Sequence, residues 1–130
     1  MHLEAPKSHI HKSRKEVYEF LTDLGNFEHL MPDSIQTFEV LDKDTFRFAL
    51  KGMPEIVLTR KSQDPYDRIV LGAASDKLPF SLSADLREVT PEETEVSLSF
   101  EGQFNAMMAM MVKGPITNFL RTLSEKLNGI

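Results

Sequence analysis

The sequence predicts an α+β domain in which a curved antiparallel sheet of six or seven strands grips a long C-terminal helix. Three observations predict it. Residues 35–103 alternate apolar and polar side chains with period two, residues 106–128 carry one apolar stripe at helical spacing, and a short capped helix follows the first strand. With 130 residues, the chain is expected to form one domain spanning 1–130, large enough to bury a core without crosslinks.

Residues 2–11 read as a first strand. Ser13-Arg14-Lys15-Glu16 has the capping-box pattern, in which the serine hydroxyl accepts the Glu16 amide and the carboxylate reaches back. Val17, Phe20, Leu21 and Leu24 follow at helical spacing, and Gly25 is expected to stop this helix. Residues 26–31 have room for one further helical turn, ended by Pro32, because the residue before a proline avoids the α region. These are the two short helices.

The sheet follows. Phe38 and Val40 alternate with Glu39; Phe46, Phe48 and Leu50 with Arg47 and Ala49; and Ile56 and Leu58 continue after a break at Gly52-Met53-Pro54. Asp64-Pro65-Tyr66-Asp67 reads as a turn with proline at its second position. Ile69, Leu71 and Ala73 precede a loop at 75–79. Phe80, Leu82, Ala84 and Leu86 then alternate with Ser81, Ser83, Asp85 and Arg87, and Val96, Leu98 and Phe100 with Ser97, Ser99 and Glu101. Strands joined by short turns make an antiparallel meander, and clean alternation means one wet face and one covered face. Only the helices can cover it. Val112, Ile116, Phe119, Leu120, Leu123 and Leu127 supply the matching stripe, on a helix about 33 Å long.

Composition narrows the function. No cysteine is present, which removes disulfides, thiolate catalysis and cysteine–zinc sites, and fits a reducing, cytoplasmic setting. A net charge of −5 argues against a nucleic-acid partner. The first seven residues lack the apolar run of a secretory signal, and no stretch approaches spanning length, so no membrane insertion is expected. Phosphate loops, dinucleotide fingerprints and nucleophile elbows are absent. His9 and His11, two apart on a strand, have no partner ligand and make a poor metal site. No catalytic residue, metal or cofactor is assigned.

Nine Phe and seven Met against two Tyr and no Trp give large apolar surface without polar handles, suited to a closed core or to a cavity wall. Phe38, Phe46, Phe48, Phe80, Phe100 and Phe104 are expected on the concave face, with Leu58, Leu82 and Phe119 beside them. Phe27, His29, Met31, Met108 and Met111 are placed at the mouth; together these fourteen form the expected lining for a small hydrophobic partner. His29 is the one histidine near that mouth, with a surface position as the plainer reading. Arg47 and Arg60 should face solvent unless the strand phase slips by one residue.

The Met107-Met108-Ala109-Met110-Met111 string says more. With Met108 at zero on a helical wheel, the core stripe spans about 0° to 120°, whereas Met107, Met110 and Met111 fall at about 260°, 200° and 300°. This half of the helix is apolar nearly all round, and a second surface must receive it: the turn at 26–32, a ligand, or a second chain. A homodimer through Met107, Met110 and Met111 is one such arrangement. Pro115, inside the pattern, implies a bend or a break after Gly114.

The run Val17-Tyr18-Glu19-Phe20-Leu21-Thr22-Asp23-Leu24-Gly25-Asn26-Phe27 with Met31-Pro32, and Asn105 before a Met-rich helix with Gly114-Pro115, resemble elements of the START-like (SRPBCC) superfamily, which includes the birch-pollen-allergen fold and the polyketide cyclase/dehydrase families. The shared element order covers nearly the whole chain. The resemblance implies a helix-grip fold with an apolar cavity between sheet and helix. Within it lie carriers of lipids and quinones, cyclases, and co-chaperone-like proteins, so fold alone does not choose among a carrier, a cyclase or dehydratase, and a protein-interaction module.

Overall fold

The computed structural model describes residues 1–33, 35–50, 55–74 and 80–130. The elements run β1 (His2–Glu4), β2 (Ser8–Ile10), α1 (Arg14–Thr22), a 3-10 helix (Leu24–Leu30), β3 (Ile35–Asp42), β4 (Thr45–Leu50), β5 (Ile56–Asp64), β6 (Arg68–Ala73), β7 (Phe80–Thr90), β8 (Glu93–Gly102) and α2 (Ala106–Leu127). All eight strands form one antiparallel sheet in the order β1-β8-β7-β6-β5-β4-β3, with β2 also on β8. The helix-grip architecture expected from the pattern is the one observed. The expected breaks at 52–54 and 75–79 lie outside the described residues.

Two boundaries differ from the sequence reading. The single first strand is two short ones, His2–Glu4 beside Ser99–Glu101 and Ser8–Ile10 beside Thr94–Val96. Pro6 sits between them, and a proline has no amide to give to a ladder. The corner is fastened to α2: the Ser8 hydroxyl donates to the Ser124 carbonyl at 2.7 Å, and the Ser124 hydroxyl donates to the Pro6 carbonyl. Helix α1 also ends earlier than Gly25. Its last residue is Thr22, and Asp23 caps the 3-10 helix by accepting the Gly25 amide. The capping box at Ser13 and Glu16 is present in both directions.

Helix α2 is continuous through Gly114 and Pro115. Asn105 caps it, its side-chain carbonyl accepting the Met108 amide at 2.8 Å. The stripe of Val112, Ile116, Phe119, Leu120, Leu123 and Leu127 is buried against the concave sheet. Lys126 ties the far end down, donating to the Met31 carbonyl and lying 3.7 Å from Asp33.

On the convex face the side-chain carboxylate of Glu95 on β8 is almost fully covered between β2 and β7. Arg87 donates to it at 2.9 and 3.2 Å and Lys7 lies at 3.6 Å. The Arg87 hydrogen bonds hold its pKa below the ordinary 4.5, against the opposing effect of desolvation. A lowered folded-state value stabilises the fold above pH 4.5, and that contribution is lost as pH falls through the lower value. Glu95→Gln should therefore be less stable than the parent near neutral pH, with the gap closing on acidification; denaturant midpoints across a pH series measure this.

Candidate functional site

The concave face was read as one aromatic field. The structure divides it in two. One group is a chain of rings from the 3-10 helix to α2: Phe27 lies 5.2 Å from Phe46, Phe38 5.4 Å from Phe46, Phe46 5.8 Å from Phe48, and Phe48 5.2 Å from Phe119. The other joins Phe80 to Phe100 at 5.5 Å and Phe100 to Phe104 at 6.2 Å, toward the β1 edge. Phe104 folds its ring over Gly102, where a Cβ atom would stand 2.4 Å from it, so a side chain there would have to push the ring aside. Aliphatic residues, among them Leu71, Leu82, Ala84 and Leu98, fill the sheet between the groups.

Among the described residues, the space enclosed between the sheet and the helices is small. Between Leu21, Phe27, Leu30, Ile69, Leu71, Leu82, Ala84, Leu98, Leu123 and Leu127 only about 10 Å³ remains open to water-sized spheres. That is the lower limit for one water, and the walls are apolar. Phe27, Met31, Phe46, Phe48, Leu58, Leu82, Phe100 and Phe119 are buried core residues, whereas Phe38, Phe80, Phe104 and Met108 are half-buried. Among the described residues, the Phe27–Phe119 stack packs the groove beneath α2.

Among the described residues three recesses open beside that core: one of about 530 Å³ at the β1 edge, lined by Met1, His2, Phe80, Glu101 and Gln103, and two others. The smaller of these two lies between the 3-10 side and the middle of α2, with a volume of about 400 Å³, lined by Pro32, Leu50, Gly114, Pro115, Asn118, Phe119 and Thr122. Its wall is apolar with two neutral polar groups at one side. Of these, the expected lining contained Phe119, and the sequence also offers Asn118 as an amide contact for a polar ligand end. Gly114 and Pro115 were read for backbone effects, although the missing side chain at Gly114, with nothing within 4 Å of a Cβ placed there, is what leaves the space. The larger recess, about 730 Å³, lies at the other end between Thr22–Gly25 and the β3–β5 edge. It is charged, with Asp23, Lys43, Asp44, Arg60 and Lys61 on its walls.

Arg60 departs from its expected solvent-facing position. It is half-buried, and its guanidinium donates to the Thr22 carbonyl at 2.6 Å, the Lys43 carbonyl at 3.2 Å and Gln63 Oε1 at 2.9 Å. A register shift in β5 between Arg60 and Ser62 turns it toward α1. Its Nη2 group joins α1 to the β3–β4 turn, while its Nε is buried without a hydrogen-bond partner, 3.5 Å from Asp44. Val40, read as concave-facing, is 44% exposed on the edge strand and lines this charged recess. Arg47 stays outside, paired with Glu39 and 3.7 Å from Glu55.

Acid–base candidates do not gather inside. His29 and Glu39 are exposed, and Arg60 sits at the rim. Tyr18, which sequence reasoning used only for resemblance, is a titratable side chain in the core. Its hydroxyl is buried without a hydrogen-bond partner, its ring meets Tyr66 edge-on at 5.3 Å, and burial raises its pKa despite the nearby Arg60. The methionines separate cleanly. Met108 is half-buried, but Met107, Met110 and Met111 are 75%, 82% and 67% exposed, so packing on the 26–32 turn is not what receives them.

Comparison with known proteins agrees with this architecture. No family model and no curated sequence matches the chain. Solved structures do. A START superfamily protein from Mycobacterium smegmatis superposes with a TM-score of 0.70 at 10% identity, covering 98% of this chain and 94% of that one. Norcoclaurine synthase from Thalictrum flavum gives 0.75 at 10% identity, with 99% and 84% covered. A conserved protein from Geobacillus kaustophilus gives 0.66 at 13%, with 95% and 90% covered. The fold is thus the START-like, birch-pollen-allergen-like helix grip. At these identities the likeness concerns the fold alone.

An unpartnered hydroxyl in the core costs about 1–3 kcal/mol. Tyr18→Phe should raise stability by about 1 kcal/mol in equilibrium denaturation. A loss of that size instead means that a buried water or guest bonds the hydroxyl.

Proposed function

We propose that this chain binds a small, mostly apolar molecule in the recess beside Gly114 and Pro115, with the guest's apolar part against Phe119 and Leu50 and a neutral polar group near Asn118 and Thr122. One observation carries the reading: the recess measures about 400 Å³ and is walled largely by apolar residues, within the 300–1,000 Å³ usual for ligand pockets. The charged recess is less suitable, since its arginine is committed to backbone carbonyls.

The helix arrangement supports a route inward. Over Ala106–Gly114 only Val112 is buried, while Ile116–Leu127 contributes six buried side chains. Displacing the first half exposes one fully buried side chain, Val112, and the covered parts of Met108 and Ala109, a smaller apolar loss than displacing the second half. A guest entering at the recess would then meet Phe119 and Phe48, the outer members of the ring stack. A neighbour of the same fold, a point mutant of the Thalictrum synthase, is seen with a transition-state analogue (TM-score 0.72, 9% identity, 98% and 93% covered), which fits a fold that accommodates small molecules. Twelve of the fourteen residues expected to line a cavity, all but the exposed His29 and Met111, are on this reading the wall that a guest would reach by displacing side chains. A cyclase-type reaction finds less support, because His29 and Glu39 face solvent.

The test fills the recess. Gly114→Leu places a side chain where a Cβ meets nothing within 4 Å and replaces a mid-helix glycine, so the protein should fold with unchanged or higher stability. Titration with N-phenyl-1-naphthylamine, a neutral fluorescent probe, should show at least tenfold weaker binding by the variant. Equal binding by both proteins would remove the recess from the reading.

A further inference from the structure

We propose that the Met107–Lys113 end of α2 docks on an anionic lipid bilayer surface. Met107, Met110 and Met111 sit at i, i+3 and i+4, so they form one ridge on the side of α2 away from the sheet. At 67–82% exposure they stand clear of their neighbours. A ridge of flexible, unbranched side chains without fixed relief suits fluid acyl chains, which adapt to any shape.

Charge selects the kind of surface. The chain holds 20 Asp and Glu, yet none falls between Gly102 and Ser124. The formal charges in that stretch are Lys113 and Arg121, both exposed, and the capped N-terminus of α2 adds the positive end of a helix dipole. A protein of net charge −5 thus presents a cationic, acid-free strip beside its most exposed apolar side chains. An anionic surface repels the rest of the molecule and attracts this strip, which orients the approach. Lipid headgroups at the level of Lys113, with the methionines below them, satisfy both features.

A second copy fits less well. Pairing two such ridges about a two-fold axis brings like strips together, and residues 102–124 of either copy contain no carboxylate to meet the other's Lys113. No helix among the described residues is long and apolar enough to cross a membrane. Docking asks only that one ridge enter the headgroup boundary.

The docking does not depend on the guest-binding reading, and the experiment keeps them apart. The full chain is sedimented with vesicles of phosphatidylcholine alone and of phosphatidylcholine with phosphatidylglycerol. The parent should partition onto the anionic vesicles and not the neutral ones. Met107→Gln/Met110→Gln and, separately, Lys113→Glu should each lower the partition at least tenfold, with melting temperatures unchanged because these side chains touch little. Absence of binding to anionic vesicles, equal binding to neutral ones, or undiminished binding by the double variant overturns the proposal. It is also overturned if sedimentation velocity finds a parent dimer that the double variant disperses, since the ridge then belongs to a second copy. Probe binding measured on the same parent protein reports the recess independently of either result.

Discussion

The fold depends on the fit of one helix stripe into one curved sheet. Ile116, Phe119, Leu120, Leu123 and Leu127 bury themselves against the concave sheet, and α1 and the 3-10 helix cover the rest of that face. At about 1.5–3 kcal/mol per buried side chain, this stripe contributes on the order of 10 kcal/mol, comparable with the whole net stability of an ordinary domain. Phe119 matters most within it. Through Phe48 and Phe46 it is continuous with Phe27, so the sheet, the 3-10 helix and α2 share one stack of rings. The polar fastenings at Ser8–Ser124 and Lys126–Met31 act at the same end of the helix, where the stripe is already dense.

That concentration has a counterpart. The first half of α2 is held by its cap, by Val112 and by part of Met108, and it presents three methionines and a bare glycine to solvent. One helix thus combines a deeply anchored half with a lightly attached one, divided near Pro115. Proline removes one backbone bond at that boundary, to the Met111 carbonyl, which weakens the coupling of the two halves without ending the helix. Motion and contact with other molecules belong to the lightly attached half, since low-stability segments are those with few buried apolar contacts.

Most of the architecture was legible because it follows from periodicity. Alternation at Phe46–Leu50 and Phe80–Arg87, the capping box at Ser13 and the stripe of α2 each specify local structure and burial at once. What was not legible depends on distances between elements. Nothing in the alternation of Phe38, Phe80 and Phe104 separates two ring clusters, because period two reports a face and not a position across the sheet. Volume was equally hidden. Rings that could wall a cavity can also fill it, and the outcome rests on how near α2 sits to β4. Arg60 turned inward through a register shift that leaves no mark in composition. Gly114 was visible as a helix risk, but its effect is spatial: it opens a recess that an ordinary residue would occupy.

The closed interior changes how a fold of this kind would handle a guest. A preformed cavity binds by filling space that is already empty, whereas a packed groove must exchange protein contacts for ligand contacts. The exchange is least costly where the displaced groups are lightly held and adaptable. Here those groups are the rim of α2 around Gly114, the half-buried Met108, and Phe119 at the outer end of the stack. The inner rings, Phe46 and Phe27, are locked among Leu24, Leu30 and Leu58 and would move only with the whole core. On the proposed reading, the core limits guest size from within. A molecule that stays in the recess loses no core packing, and one that reaches past Phe48 does so against the stack that joins α2 to the sheet.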